Sequence, residues 1–161
     1  MDGIENVYLG NMRVIIQRVQ RASVDVSGER ISNIQQGLLI FLGVAEADVE
    51  ADADYLVSKI SSMRIFPDHE GKMNLSIVDV SGELLVVSQF TLHASTKKGN
   101  RPSFMKSARP ERANDLYEYF IRCLRASSGL KTESGRFGAM MNVELVNWGP
   151  VTIFMDSSHP E

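Results

Sequence analysis

The stretch Leu84-Leu85-Val86-Val87-Ser88-Gln89-Phe90-Thr91-Leu92 decides the fold. Four aliphatic residues follow one another without alternation and then meet Ser, Gln and Thr. A short continuous apolar run after the turn at Ser81-Gly82 is typical of a strand buried on both faces. Binding and catalytic groups are commonly held where such a strand leaves the core and opens into a cleft. A central strand that simply ends in a polar turn explains the same pattern, so the rest of the chain must decide between the two interpretations.

Length and composition predict one globular domain over residues 12–161. The chain has 161 residues, with hydrophobic and charged shares of 43% and 23%, which are ordinary for a soluble protein. Residues 1–11 show no periodicity, and we expect them to be a disordered extension. We find no apolar run long enough to span a bilayer and no signal-peptide pattern. Cys123 is the single cysteine, so no internal disulfide is possible, and these features together favour a reducing cytoplasm.

Two local clusters of charge stand out, although the net charge is only −3 and excludes a generically basic nucleic-acid binder. The first cluster is basic and either meets phosphates, with an affinity that falls as salt rises, or is a solvated surface. Its members are Lys97, Lys98, Arg101, Lys106, Arg109 and Arg112. The second is acidic and lies in the first turns of a predicted helix, where the helix dipole favours negative charge without any metal. Its members are Glu46, Asp48, Glu50, Asp52 and Asp54.

Hydrophobic periodicity predicts an α+β or mixed three-layer domain. Asp48 is expected to cap a helix that continues to residue 62, and Pro110 to begin a second helix that Gly129 ends. Each helix crosses between strands, which gives the fold class. The predicted strands span residues 13–20, 22–26, 30–34, 38–42, 64–66, 84–88, 141–146 and 151–155.

Several common kinds of site are not predicted. The histidines are scattered without the spacing of metal ligands; they are His69, His93 and His159. Neither a phosphate-binding loop nor a dinucleotide fingerprint occurs. Cys123 lies on a predicted helix with no nearby histidine and is expected to be a packed thiol. Ser88 and Thr91 remain as candidate nucleophiles, but a hydroxyl needs a base, and His93 could reach Thr91 only if the chain curls there.

Two further segments have both a structural and a functional interpretation. Gly149-Pro150 lies between two predicted strands, and proline cannot join a central ladder, so it marks an interruption or a turn. The glycine lets another backbone or a ligand approach closely, although a hairpin turn with a trans peptide explains the pair as well. Phe137, among small residues and methionines, could stack on a base or belong to the core.

Taken together, the motifs make the chain resemble the D-aminoacyl-tRNA deacylases over nearly its whole length from Met12 onward. The motifs are Met12-Arg13-Val14-Ile15-Ile16-Gln17-Arg18-Val19, Gly71-Lys72-Met73-Asn74-Leu75, Ser88-Gln89-Phe90-Thr91-Leu92, Arg101-Pro102-Ser103-Phe104 and Asn147-Trp148-Gly149-Pro150-Val151-Thr152. Two signature motifs occur in the right order and at the right chain length, which makes the resemblance specific.

The resemblance implies a homodimer that hydrolyses the ester joining a D-amino acid, or glycine, to tRNA, as a chiral check on translation. It also implies a three-layer fold that dimerises through its sheets, and no cofactor, metal, membrane or DNA. Ser88-Gln89-Phe90-Thr91 would be the catalytic part of a pocket at the dimer interface. Gly149-Pro150, with a cis bond, would enter from the other subunit and reject L side chains by sterics. Asn147 and Arg18 would belong to this selectivity element, with Arg18 holding the Gly-Pro carbonyls.

The resemblance further implies a binding surface for the tRNA acceptor end. Phe137 and Met141 would line a slot for the terminal adenine, and the basic stretch with Lys97, Lys98 and Arg101 would be available to phosphates. Two residues depart from the family pattern near the inferred pocket. Met140 stands where an acidic residue is frequent, and Trp148 where a small polar residue is common.

The mechanism and two rival functions stay open on the sequence. In one mechanism Thr91 is the nucleophile; in the other, backbone N–H groups near Phe90 and Thr91 bind the oxyanion while the tRNA 2′-hydroxyl assists a water. The second is favoured because Thr91 has no evident base. A non-catalytic dimeric RNA-binding module would use the basic cluster and Phe137 equally well. An esterase that depends on Thr91 would hydrolyse free D-amino-acid esters.

Overall fold

The computed structural model describes residues 10–158, which form two α-helices on a mixed sheet. The elements in chain order are β1 (Arg13–Val26), β2 (Glu29–Ile34), β3 (Gly37–Gly43), α1 (Glu50–Ser62), β4 (Phe66–Pro67), β5 (Met73–Leu75), β6 (Glu83–Ser88), a 3-10 turn (Phe90–His93), α2 (Pro110–Ser128), β7 (Thr132–Ser134) and β8 (Asn142–Asp156). The α+β class is confirmed. Helix α1 crosses between the parallel strands β3 and β6, and α2 crosses between the parallel strands β6 and β7.

Strand β1 organises the main sheet because it pairs with three other strands. Its first half pairs antiparallel with β3, where Ile15 faces Phe41, and its second half pairs with β2, where Val24 faces Ser32. Strand β8 runs antiparallel along β1 on the other side, with Phe154 opposite Ile15. Because β2 also approaches β6 and β7, the mixed sheet is nearly closed. β4 and β5 form a separate two-stranded ribbon.

The predicted burial of the central strand on both faces is confirmed. Successive side chains of a strand point to opposite faces. Leu84 and Val86 therefore join the core beneath the helices, while Leu85 and Val87 join a second core on the opposite face. Strand β3 divides its residues in the same way. Helix α2 contributes a fully predicted apolar stripe to the first core; its members are Ala113, Leu116, Tyr117, Phe120, Ile121 and Leu124.

Both ends of α2 follow the sequence prediction, whereas the start of α1 does not. Pro110 is the first residue of α2, and Gly129 ends it in the left-handed conformation, with φ 67°. Helix α1 begins at Glu50, and the predicted cap Asp48 lies before it. The Asp48 carboxylate instead accepts hydrogen bonds from the N–H groups of Ala45 (2.6 Å) and Asn11 (2.5 Å). Prediction of Asp48 as the helix cap was therefore wrong.

Some elements are longer than predicted and some were missed. β1 is one strand where two were expected, and β8 is continuous through Gly149-Pro150. The three-residue strands β5 and β7 had no periodicity to reveal them. Residues 1–9 and His159 lie outside the described residues, but Asn11, which was assigned to the disordered extension, is hydrogen-bonded into the domain. We find no helix in residues 10–158 that is long and apolar enough to cross a membrane.

Candidate active site

The chain turns sharply where β6 ends, and this turn forms the floor of the site. The Gln89 N–H donates to the carbonyl oxygen of Leu42 at 2.8 Å, and the next residues form the 3-10 turn. The turn packs directly on the end of β3, because a Cβ at Gly43 would lie 2.8 Å from the Leu92 Cβ. The first N–H groups of a helical turn have no acceptor within it, so those of Phe90 and Thr91 are available to an external oxygen.

A cavity of about 700 Å³ opens above this turn. It brings together five of the predicted site residues: Ser88, Gln89, Phe90, Phe137 and Met141. The two elements come from distant parts of the chain, the end of β6 and the segment before β8. The family resemblance implied a reacting ester at the first element and a terminal base at the second, and those roles stay a prediction.

The far wall of the cavity is held by packing on β6 and α2. Met141 lies over Gly135, where a Cβ would be 2.7 Å from the methionine sulfur, and Phe137 packs on the ring of Tyr117 with centroids 5.9 Å apart. The Tyr117 hydroxyl donates to the Val86 carbonyl oxygen at 2.9 Å. Burial raises the pKa of Tyr117 to about 12, so it stays a neutral donor. This wall of the cavity is therefore built from side chains that are held by their neighbours.

Thr91 is exposed, and no base within residues 10–158 hydrogen-bonds to its hydroxyl. Its hydroxyl oxygen accepts a hydrogen bond from the amide of Gln89, and neither residue's side chain is buried. The chain does curl at this point, but His93 turns inward and is only 1% exposed. Burial lowers the pKa of His93, and neither of its ring nitrogens has a hydrogen-bond partner among the described residues. The arrangement therefore does not supply Thr91 with the general base that a nucleophile needs.

Ser107 is a site residue that sequence analysis missed. It lines the cavity, and its hydroxyl donates to the Phe90 carbonyl oxygen at 3.0 Å. This bond ties the long loop before α2 to the 3-10 turn. Phe104 from the same loop meets Phe90 edge to face, with ring centroids 5.1 Å apart. A single serine in an aperiodic loop gives no sequence signal for either contact.

Gly149 and Pro150 are exposed and lie outside the cavity of their own chain. Their peptide bond is cis, as the resemblance implied, and Gly149 has φ 131°. Asn147 brackets the pair: its Oδ1 accepts from the Val151 N–H at 3.0 Å, and its Nδ2 donates to the Thr152 hydroxyl at 3.0 Å. The side chain of Asn147 thus replaces ladder bonds that the strand loses here.

Arg18 lies next to this element but contacts other carbonyls than expected. It is buried, and it donates from Nε to the Trp148 carbonyl oxygen (3.0 Å) and from Nη1 to that of Ile65 (2.7 Å). A Cβ on Gly149 would be 2.8 Å from its Nη2. Arg18 therefore fixes the residue that precedes Gly149, rather than the Gly-Pro carbonyls themselves.

The basic cluster divides into two parts. Arg109 and Arg112 fasten the loop to the start of α1, through the Glu46 carboxylate (3.0 Å from Arg109 Nε) and the Glu46 carbonyl (3.0 Å from Arg112 Nε). Both guanidinium groups thus have partners within the fold, while the Arg109 side chain is still 82% exposed. The other four are exposed and lie in the loop between the 3-10 turn and α2; they are Lys97, Lys98, Arg101 and Lys106.

The acidic cluster is partly buried rather than wholly solvated. Asp48 and Asp52 are fully buried, and burial raises the pKa of Asp48 to about 6. Asp52 accepts from the Val49 N–H at 2.9 Å and from the Ser157 hydroxyl at 2.6 Å. Cys123 is half-buried on α2. Within residues 10–158, no group of three or more His, Cys, Asp or Glu side chains could hold a metal ion.

Comparison with known proteins places the chain in a family. The family model described as D-Tyr-tRNA(Tyr) deacylase matches residues 15–156. A D-aminoacyl-tRNA deacylase of Koribacter versatilis (strain Ellin345) is 58% identical over 146 residues, which cover 91% of this chain and 97% of the relative.

Two solved structures have the same fold. A structure described as a c-Myc DNA unwinding element binding protein is 40% identical, with a TM-score of 0.84 over 89% of this chain and 97% of its own. A structure described as a probable eukaryotic D-amino acid tRNA deacylase shows the fold alone, at 16% identity and a TM-score of 0.80 over 91% of this chain and 100% of its own. The family match spans most of the described chain and includes every residue of the cavity and of the Gly149-Pro150 element, and the chain therefore belongs to the D-Tyr-tRNA(Tyr) deacylase family.

Proposed function

We propose that this protein hydrolyses the ester bond of D-aminoacyl-tRNA, and of mischarged glycyl-tRNA, to give the free amino acid and tRNA. Family membership supports a hydrolase that acts on aminoacyl-tRNA. The observation that supports the proposal is the shared cavity, which is lined by Phe137 and Met141 together with Ser88, Gln89 and Phe90, whereas Thr91 follows just outside that lining. A terminal adenosine and its aminoacyl ester need these two kinds of surface within one nucleotide of each other.

In this proposal the adenine packs between Phe137 and Met141, and the ester carbonyl faces the 3-10 turn. Water attacks the carbonyl carbon, and the N–H groups of Phe90 and Thr91 stabilise the negative oxygen that forms. The bond from the carbonyl carbon to the ribose oxygen then breaks, and that oxygen takes up a proton. The 2′-hydroxyl of the same ribose assists the water. The exposed Thr91, without a base, supports this route over a covalent one.

Stereochemical selection is proposed to come from Gly149-Pro150 of a second copy of the chain. The pair is exposed and remote from its own cavity, which is consistent with a role in another subunit. The solvent-facing side of β8 also carries Phe154, which is 57% exposed and lies opposite the half-buried Ile15 of β1. A two-fold dimer through this face would bury Phe154 and deliver main chain to both cavities. Rigid main chain would then exclude an L side chain by collision.

The exposed loop cations are proposed to meet the acceptor-stem phosphates. Lys97, Lys98 and Arg101 are exposed and begin four residues after the 3-10 turn, which makes them available to a strand whose end occupies the cavity. Each phosphate contact releases counterions, which makes the affinity fall with salt.

The direct test is a single-turnover assay with matched D-tyrosyl-tRNA, L-tyrosyl-tRNA and glycyl-tRNA. The proposal predicts rapid release from the D and glycyl substrates and background release from the L substrate. Tight tRNA binding without hydrolysis would instead indicate an RNA-binding module. Equal turnover of free D-tyrosine ethyl ester and of the tRNA ester would indicate an esterase of small molecules.

A further inference from the structure

The indole ring of Trp148 stacks on the guanidinium of Arg18. The Arg18 Cζ lies 4.2 Å from the ring centroid, well within the range of a cation–π contact. The same tryptophan also offers its carbonyl oxygen to Arg18 Nε at 3.0 Å. Arg18 therefore contacts Trp148 in two ways, through the indole ring and through the main-chain carbonyl.

The hydrogen bonds alone do not hold the guanidinium completely. A guanidinium donates only from its edge, and here that edge reaches the carbonyls of Trp148 and Ile65, the latter at 2.7 Å. Neither hydrogen bond acts on the flat face of the guanidinium. The Trp148 ring covers that face, with the Arg18 Cζ 4.2 Å from the ring centroid, and so limits tilting of the guanidinium. Burial of Arg18, which lowers its pKa, strengthens both kinds of contact by excluding water.

The position of this plane bears directly on Gly149. The Arg18 Nη2 lies so close to Gly149 that a Cβ would be 2.8 Å away. The buried ring of Phe66 also packs against the indole, with centroids 6.3 Å apart and the two planes tilted by 52°. Core contact, indole, guanidinium and the Gly149 backbone are thus neighbours in that order. On the other flank, Asn147 holds Val151.

We propose that Trp148 is a positioning residue for stereoselection: its ring fixes the Arg18 guanidinium, which fixes the Gly149-Pro150 main chain that excludes L side chains. This inference rests on the proposed function. Substitution of the ring lets the main-chain element move, so the D substrate is held less well and the L substrate is no longer fully excluded.

The test compares Trp148→Ala with Trp148→Phe in the full chain, using single-turnover rates on D- and L-tyrosyl-tRNA. Trp148→Ala is expected to lower the D:L rate ratio about tenfold, the scale of a lost desolvated cation–π contact. Trp148→Phe keeps an aromatic face and is expected to retain most of the ratio. Lys59→Ala, which removes a cation 5.9 Å from the Tyr55 ring on α1, is the matched control and should leave the ratio unchanged. A folded Trp148→Ala protein with the wild-type ratio would overturn the inference.

A second readout needs neither tRNA nor activity. Trp148 is the only tryptophan in the sequence, so the tryptophan fluorescence comes from this ring alone. Arg18→Lys removes the planar group but keeps the charge, and it is expected to change the emission intensity and maximum; an unchanged spectrum would contradict the stack. If the wild type hydrolyses neither substrate, the proposed function fails. If the wild type is selective but Trp148→Ala keeps the wild-type D:L ratio, only this inference is excluded.

Discussion

Replacement of Gly149 by alanine tests the main-chain element through two separate effects. The backbone at Gly149 has φ 131°, which costs an L residue on the order of 1–3 kcal/mol. The new Cβ would also lie 2.8 Å from Arg18 Nη2 and 3.0 Å from Val151 Cγ2. Overpacking of this kind costs on the order of 1–3 kcal/mol more. Because Arg18 is held by two carbonyls, we expect the backbone of β8 at residue 149 to shift, and not the arginine.

We therefore expect Gly149→Ala to lose about 2–6 kcal/mol of unfolding free energy, or roughly 5–25 °C in melting temperature. At a temperature where the variant is folded, D-tyrosyl-tRNA hydrolysis should fall at least about tenfold in a single-turnover assay. Gly28→Ala is the matched control, because Gly28 also has a positive φ, 78°, but its Cβ would meet nothing within 4 Å. If both variants melt alike and both keep wild-type selectivity, the reasoning about the Gly149 contacts is refuted.

Three further predictions concern the nucleophile, the loop cations and pH. Thr91→Ala should keep most of the single-turnover rate, because no base activates the hydroxyl; loss of activity together with an acyl-enzyme trapped only when Thr91 is present would contradict this. Alanine at Lys97, Lys98 and Arg101 together should weaken tRNA binding and flatten its salt dependence, measured as the slope of log affinity against log salt; an unchanged slope would exclude phosphate contacts there. Acidification below pH 6.5 should destabilise the fold through His93, because the unfolded chain takes up a proton that the buried ring resists. Asp48, with its pKa raised to about 6, acts in the opposite sense in both proteins, so on acidification from pH 7 to 5 the unfolding free energy of His93→Phe should fall less, or rise more, than that of the wild type. An identical dependence would show that another group is responsible.

Much of the fold follows from local sequence because the deciding signals are local. The apolar run before Ser88 identifies a strand buried on both faces, and Pro110 and Gly129 mark the ends of α2 with groups that act within one turn. The prediction of Asp48 as a helix cap fails because its carboxylate accepts a hydrogen bond from the N–H of Asn11, 37 residues away in sequence. Partners at such separations leave no trace in periodicity.

The site is predictable to a similar extent and for the same reason. The residues after β6 follow from the strand that delivers them, and the structure brings Phe137 and Met141 to the same cavity. Ser107 was missed because its bond to Phe90 depends on how an aperiodic loop returns over the turn. Trp148 looked like a mere departure from a motif, since its contact with Arg18 joins residues on β8 and β1.

Donation of Gly149-Pro150 across a dimer is tested most directly by mixing two inactive variants. Gly149→Phe would disable the donated element, and Ser88→Phe would fill the cavity that receives it. Co-expressed copies with different affinity tags, purified through both tags, contain one copy of each variant. A two-fold dimer with exchanged elements then has one fully intact site, so the mixed species should regain about half of the wild-type activity per dimer. Mixed dimers as inactive as either parent, or a failure of the two copies to associate, would contradict the account.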